Sequence, residues 1–157
     1  MSDIDDELEQ LGIVLPSARR PIANYVPGVR VGNLLYLSGV GPALGADGEI
    51  YFGKLGSDLC VDDGYRAARL VGVNLISRIK GELGDLGRVK CIVKLLSMVN
   101  ATAEFTEHPA VANGCPDLLV GVFADKGRHA RSAVGMGSLP GGIPVEIEMI
   151  VEVDEDV

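Results

Sequence analysis

Between Val61 and Leu83 the apolar and small residues recur at steps of three and four: Val61, Tyr65, Ala68, Gly72, Leu75 and Ile76, Ile79 and Leu83. That period is a helix. Asp62 and Asp63 sit in its first turn, where carboxylates suit the helix dipole, and Gly84 is a fitting stop. Leu70, Val71 and Val73 widen the apolar stripe, so this helix is expected to lie across a sheet. The run Val89–Met98 is apolar nearly throughout, with Lys90 and Lys94 as interruptions, and predicts a central strand. Val29-Arg30-Val31 and Leu34–Ser38 flank the turn dipeptide Gly32-Asn33, which predicts a hairpin. Asp47-Gly48 signals another turn, leading into a short strand near Glu49–Phe52.

Residues 102–112 read as loop, with Pro109 breaking any regular element and His108 a loop residue. Pro116–Ala124 carries the Leu118, Leu119, Val122, Phe123 spacing of a second sheet-covering helix, closed by Gly127. Residues 131–138 and 144–153 read as two strands joined by a turn containing Pro140, Gly141 and Gly142. At the N-terminus residues 3–12 form a short acidic helix with Ile4, Leu8 and Leu11 on one side, and Pro16 and Pro21 bracket an irregular passage. This order predicts one α+β domain over residues 1–157, with 1–20 an acidic extension and two helices on one sheet face. Val134, Met136, Val145, Ile147 and Met149 are read as too many to face the helices together. A second apolar face then implies an oligomer.

The net charge of -8 lies mostly at the ends: five acids fall in residues 1–10 and four in residues 152–157. Without them thirteen acids face fourteen basic residues, so the body is nearly neutral. No basic cluster extends beyond Arg19-Arg20 and the chain has no tryptophan, which argues against sequence-specific nucleic-acid recognition. No apolar run is long enough to span a membrane, and the acidic start is the opposite of a signal peptide. Cys60, Cys91 and Cys115 form no Cys-x-x-Cys pair. They read as reduced thiols of a cytoplasmic protein, Cys91 in the core and Cys115 partly exposed. With two scattered histidines, His108 and His129, no metal-site spacing exists, and no cofactor is expected. His129 is expected at the surface.

The candidate chemistry lies in the last two strands. Arg131 stands on apolar ground and cannot shed its charge, so it needs an anion or a carboxylate. Glu146 and Glu148 alternate with apolar residues and share a sheet face. A solvated face is the default reading of such a pair, and an ion pair with Glu146 or Glu148 is the default for Arg131.

The order of several short passages changes that balance. Asn24-Tyr25-Val26-x-Gly28, Gly32–Gly39, Gly64–Ala68, Leu83–Leu86 with Val89-Lys90, Ala130-Arg131-Ser132-x-Val134, Leu139-Pro140 and Val145–Glu148 together resemble the YjgF/Rid family of imine and enamine deaminases, also called endoribonuclease L-PSP. The resemblance covers most of residues 21–153. It implies a chorismate-mutase-like fold, a mixed sheet with two helices on one face, assembled as a homotrimer with sites between subunits. It further implies a hydrolase in which Arg131 grips the carboxylate of a 2-imino or 2-enamino acid and Glu146 places the attacking water. Tyr25, Ser38, Gly39, Asn113 and Ala133 would line the pocket. Ala133 stands where cysteine is common in the family, so any role for that thiol is missing here. The segments 41–60 and 102–116 are longer than in short members, which marks a longer branch. Two other readings remain open: a non-catalytic trimer that binds small carboxylates, and a translation-inhibiting endoribonuclease, which the scarcity of basic runs disfavours. Chorismate-mutase activity rests on fold analogy alone and is discounted.

Overall fold

The computed structural model describes residues 3–17, 24–42 and 51–155. The elements are α1 (Asp3–Gln10), β1 (Gly28–Val31), β2 (Leu34–Val40), α2 (Val61–Leu83), β3 (Val89–Asn100), α3 (His108–Ala112), α4 (Gly114–Phe123), β4 (Ala130–Met136) and β5 (Val145–Val153). The five strands form one sheet in the order β1-β2-β5-β3-β4, an α+β arrangement with a mixed sheet. β1–β2, β2–β5 and β5–β3 pair antiparallel, whereas β3–β4 is parallel. A parallel neighbour needs a crossover, and α3 with α4 supplies it. β4 and β5 follow each other in sequence, yet β3 lies between them.

Why each element forms is local. Gly32 takes φ +61 in the two-residue turn, and Val31 pairs with Leu34 across it. In α2 the Asp63 carboxylate accepts from the Cys60 backbone N–H at 3.0 Å, closing the N-terminus, and Gly84 at φ +76 ends the helix. The predicted stripe is the buried one: Ala67, Ala68, Val71, Leu75, Ile76 and Ile79 are fully enclosed. α4 packs Leu118, Leu119, Val122 and Phe123 beside it. The two helices approach so closely at Gly114 that a Cβ there would overlap the Tyr65 carbonyl.

Strand alternation then sorts the sheet into two faces. Leu35, Leu37, Leu95, Val99, Val145, Ile147, Met149, Val151 and Val153 point at the helices and are buried. Burial of each such side chain is worth roughly 1.5–3 kcal/mol. Val145, Ile147 and Met149 share the helix face, as residues two apart on a strand do, while Val134 and Met136 lie on the other, so the five are divided between the faces as expected. The other face carries Val29, Val31, Tyr36, Met98, Val134 and Met136 among Lys94, Ser132, Glu146, Glu148 and Glu152. It is mixed rather than greasy, although Val29, Val31, Tyr36 and Val134 are exposed.

Several smaller expectations are corrected. Residues 108–112 are helical, because Pro109 occupies the first turn, where no N–H donor is needed. Leu11 is exposed, and only Leu8 of the N-terminal helix is buried. Cys91 lies half-exposed on the open face against Glu152, and Cys115 is fully buried. Tyr51 and Phe52 belong to no strand, and the Asp47-Gly48 turn falls outside the described residues. Among the described residues no helix is long and apolar enough to cross a membrane.

Candidate functional site

The expected site residues fall into two groups on opposite faces of the sheet. The first surrounds Glu146. Between Leu37 and Val40 the pairing of β2 with β5 slips, and the bulge so formed holds Ser38 and Gly39. Glu146, opposite Met98 on β3, rests its carboxylate on Gly39: a Cβ there would overlap Oε1. Glycine is the residue that permits this approach. Ser38 ties the preceding loop to the bulge, its hydroxyl donating to the Val26 carbonyl at 2.7 Å and its N–H to the Pro27 carbonyl at 2.9 Å. Tyr25, adjacent to Val26, is about half exposed. Tyr25, Ser38, Gly39 and Glu146 thus belong to one neighbourhood. Partial burial, and secondarily the nearby Glu148 charge, push the Glu146 carboxyl above its ordinary range.

The second group is built on the edge strand β4. Arg131 pairs with Leu95 in the parallel ladder and so points to the helix side. Its Nη1 donates to Asn113 Oδ1 at 2.7 Å. Asn113 ends α3 and opens α4, with its own N–H donating to the Pro109 carbonyl at 3.0 Å. Ala133, two residues along, shares the Arg131 face and is partly open to solvent. One of five guanidinium N–H groups serves Asn113, and a bidentate grip on a carboxylate needs two more. An ion pair with Glu146 or Glu148 within one chain is ruled out, because those carboxylates stand on the opposite face.

Two histidines, expected to be peripheral, flank Arg131 along β4. His129 is half-buried, and its Nδ1–H donates to the Gly127 carbonyl at 2.6 Å. Burial lowers its pKa, with Arg131 adding to the effect against the Gly127 bond. His108, from α3, sets Nε2 over Gly135 and its ring edge-on to Phe105 at 5.2 Å. Its placement was not legible, since it follows from a helix hidden behind a proline. Cys115 lies behind Arg131, and burial pushes its thiol up to about 12, so it is no nucleophile. Among the described residues no group of three or more His, Cys, Asp or Glu could hold a metal ion.

The chain as a whole is similar to known proteins. The family model described as "YjgF/chorismate_mutase-like, putative endoribonuclease" matches residues 5–143. Protein TCP17 of Trypanosoma cruzi is 45% identical over 148 residues, covering 94% of this chain and 92% of that protein. The crystal structure of Atu1372 from Agrobacterium tumefaciens, described as of unknown function, is 44% identical with a TM-score of 0.87, over 96% of this chain and 92% of that one. A structure from Shewanella oneidensis, described as a putative endoribonuclease, is 33% identical with a TM-score of 0.91, over 97% of this chain and 100% of that one.

Proposed function

The chain belongs to the YjgF/chorismate-mutase-like family, and on that premise we propose that it hydrolyses reactive 2-imino and 2-enamino acids to 2-keto acids and ammonia. The observation that carries this reading is the division of the site. An anion anchor, Arg131 with Asn113, stands on the helix side of an edge strand, and a carboxylate with a raised pKa stands on the open face. Neither half suffices alone. A homotrimer whose open faces pack inward brings the edge strand of one subunit to the bulge of the next, and it covers Val29, Val31, Tyr36 and Val134.

In that cleft Arg131 takes the substrate carboxylate in a bidentate grip and fixes the imine carbon. Tyr25 and the Ser38-Gly39 backbone wall the pocket, and Ala133 leaves room beside the arginine. Glu146 accepts a proton from water as its oxygen adds to the C=N carbon. The resulting carbinolamine takes that proton on nitrogen and expels ammonia as its hydroxyl proton passes to the freed Glu146 carboxylate, leaving the ketone, and that proton departs with ammonia as ammonium. A carboxyl lifted toward neutrality is a better base for this than an ordinary one. Protonation of the imine nitrogen already activates the carbon. The three free cysteines suit a reducing, cytoplasmic setting.

The test is loss of a 2-imino acid, generated by an amino-acid oxidase and followed by its competition with semicarbazide. Wild type accelerates the loss; Arg131→Ala and Glu146→Gln do not, and Glu146→Gln still binds the 2-keto product. No acceleration across small, branched and aromatic imino acids turns the reading to a carboxylate-binding trimer without chemistry.

A further inference from the structure

The helix side of β4 holds more than the arginine. Arg131, Ala133 and Gly135 follow one another on that face, and α3 runs over them. Asn113, at the end of α3, meets Arg131, and His108, at its start, meets Gly135. Asn113 lies five positions after His108, a helical rise of about 7.5 Å. Between them the strand offers only the Ala133 methyl, which is partly open to solvent. The His108 ring is held on two sides. It stands edge-on to Phe105, which itself packs on Gly56 in the loop before α2. Its Nε2 edge sits so low over Gly135 that a Cβ there would come within 2.5 Å. A ring fixed in this way meets a ligand without losing rotamer freedom.

We propose that His108 is a specificity-determining residue, and that the cleft between it and Arg131 selects imino acids with a second carboxylate on the side chain. This inference rests on the deaminase reading and refines it. The carboxylate beside the imine carbon binds Arg131, the chain of the substrate passes over Ala133, and the distal carboxylate accepts from the His108 imidazole. An alanine at 133 is part of this design, because a larger side chain there would fill the path. Glu104 and Glu107 precede α3 in the chain. Both are exposed and well solvated, so screening weakens their repulsion of a dianion.

The test compares two products as ligands, 2-oxoglutarate and 2-oxobutyrate, by calorimetry on the intact protein, with His108→Phe and His108→Gln. Phenylalanine keeps the ring against Phe105 and removes the donor; glutamine keeps a donor. Wild type is expected to bind 2-oxoglutarate more tightly. His108→Phe should weaken that ligand about tenfold or more, the loss of a hydrogen bond to a charged group. It should leave 2-oxobutyrate within about twofold, and glutamine should restore part of the preference. A purely packing role shifts both ligands together, and that result overturns the inference, as does a wild type that does not prefer the dicarboxylate. Imine loss with the monocarboxylate 2-iminobutyrate separates the two readings. If wild type accelerates it while 2-oxoglutarate shows no preference, the deaminase stands and the dicarboxylate assignment falls.

Discussion

Arg131 and Glu146 stand on opposite faces of the same sheet, the first opposite Leu95 on the side of α3 and α4, the second opposite Met98 on the open side. No rotamer change can bring a β4 side chain through the sheet to meet one on β5, with β3 between them. The proposed chemistry therefore requires two copies of the chain.

That requirement is testable by subunit mixing. Arg131→Ala trimers and Glu146→Gln trimers should each be inactive. Unfolded together and refolded at equal concentration, they should recover about a quarter of wild-type activity, since each hybrid trimer contains one cleft with both residues intact. A mixture as inactive as its parents would place both residues in the function of a single subunit.

Glu148 sharpens the base at Glu146. Burial raises the Glu146 pKa first and the Glu148 charge raises it further. A base works deprotonated, so the acid limb of the pH–rate profile follows this pKa. Glu148→Gln removes the repulsion and should move that limb to lower pH, with the plateau rate little changed. The same shift has a stability sign: an acid with a raised folded pKa loses stabilisation as pH rises through the interval above the ordinary value of 4.5. Glu146→Gln should flatten that part of the pH–stability curve.

Gly39→Ala separates positioning from folding. The added methyl meets the free end of a flexible carboxylate, which can swing away. Thermal stability should fall by a few degrees at most, about 1 kcal/mol. Turnover should fall by about tenfold or more, because the base is displaced from its bulge. Equal loss of both would show that the bulge itself collapses.

The cysteines should label in order of exposure. Cys60 is exposed at the start of α2, Cys91 is half-exposed on the open face, and Cys115 is enclosed with its thiol at about 12. A thiol reagent should modify Cys60 first, and Cys115 only after unfolding. Cys60→Ser should abolish the fast phase. Above about pH 9 the unfolded chain ionises its thiols while the folded Cys115 does not, so stability should decline between pH 9 and 12.

How much of this was legible differs by element. The α2 helix could be read in full, because its period of three and four is a local property that the sheet beneath simply accepts. The two glutamates on one face of β5 followed equally from alternation, as did the hairpin at Gly32-Asn33. The helix α3 was hidden by Pro109, whose effect reverses with position: it breaks a helix interior and starts a first turn. Cys115 was misplaced because its burial depends on how close α4 approaches α2, which Gly114 and Gly72 decide together.

The candidate site divides along the same line. Which residue types could anchor a carboxylate or activate a water, and the order in which they occur, was determined by the sequence, because charge and hydrogen-bonding capacity are properties of single side chains. Only the tertiary structure decided that β3 separates β4 from β5, that Asn113 rather than a glutamate partners Arg131, and that His108 lies over Gly135. Those relations join residues whose separation along the chain says nothing of distance. They depend on which strands pair and on which face each side chain then emerges, and that is settled by packing the whole chain at once.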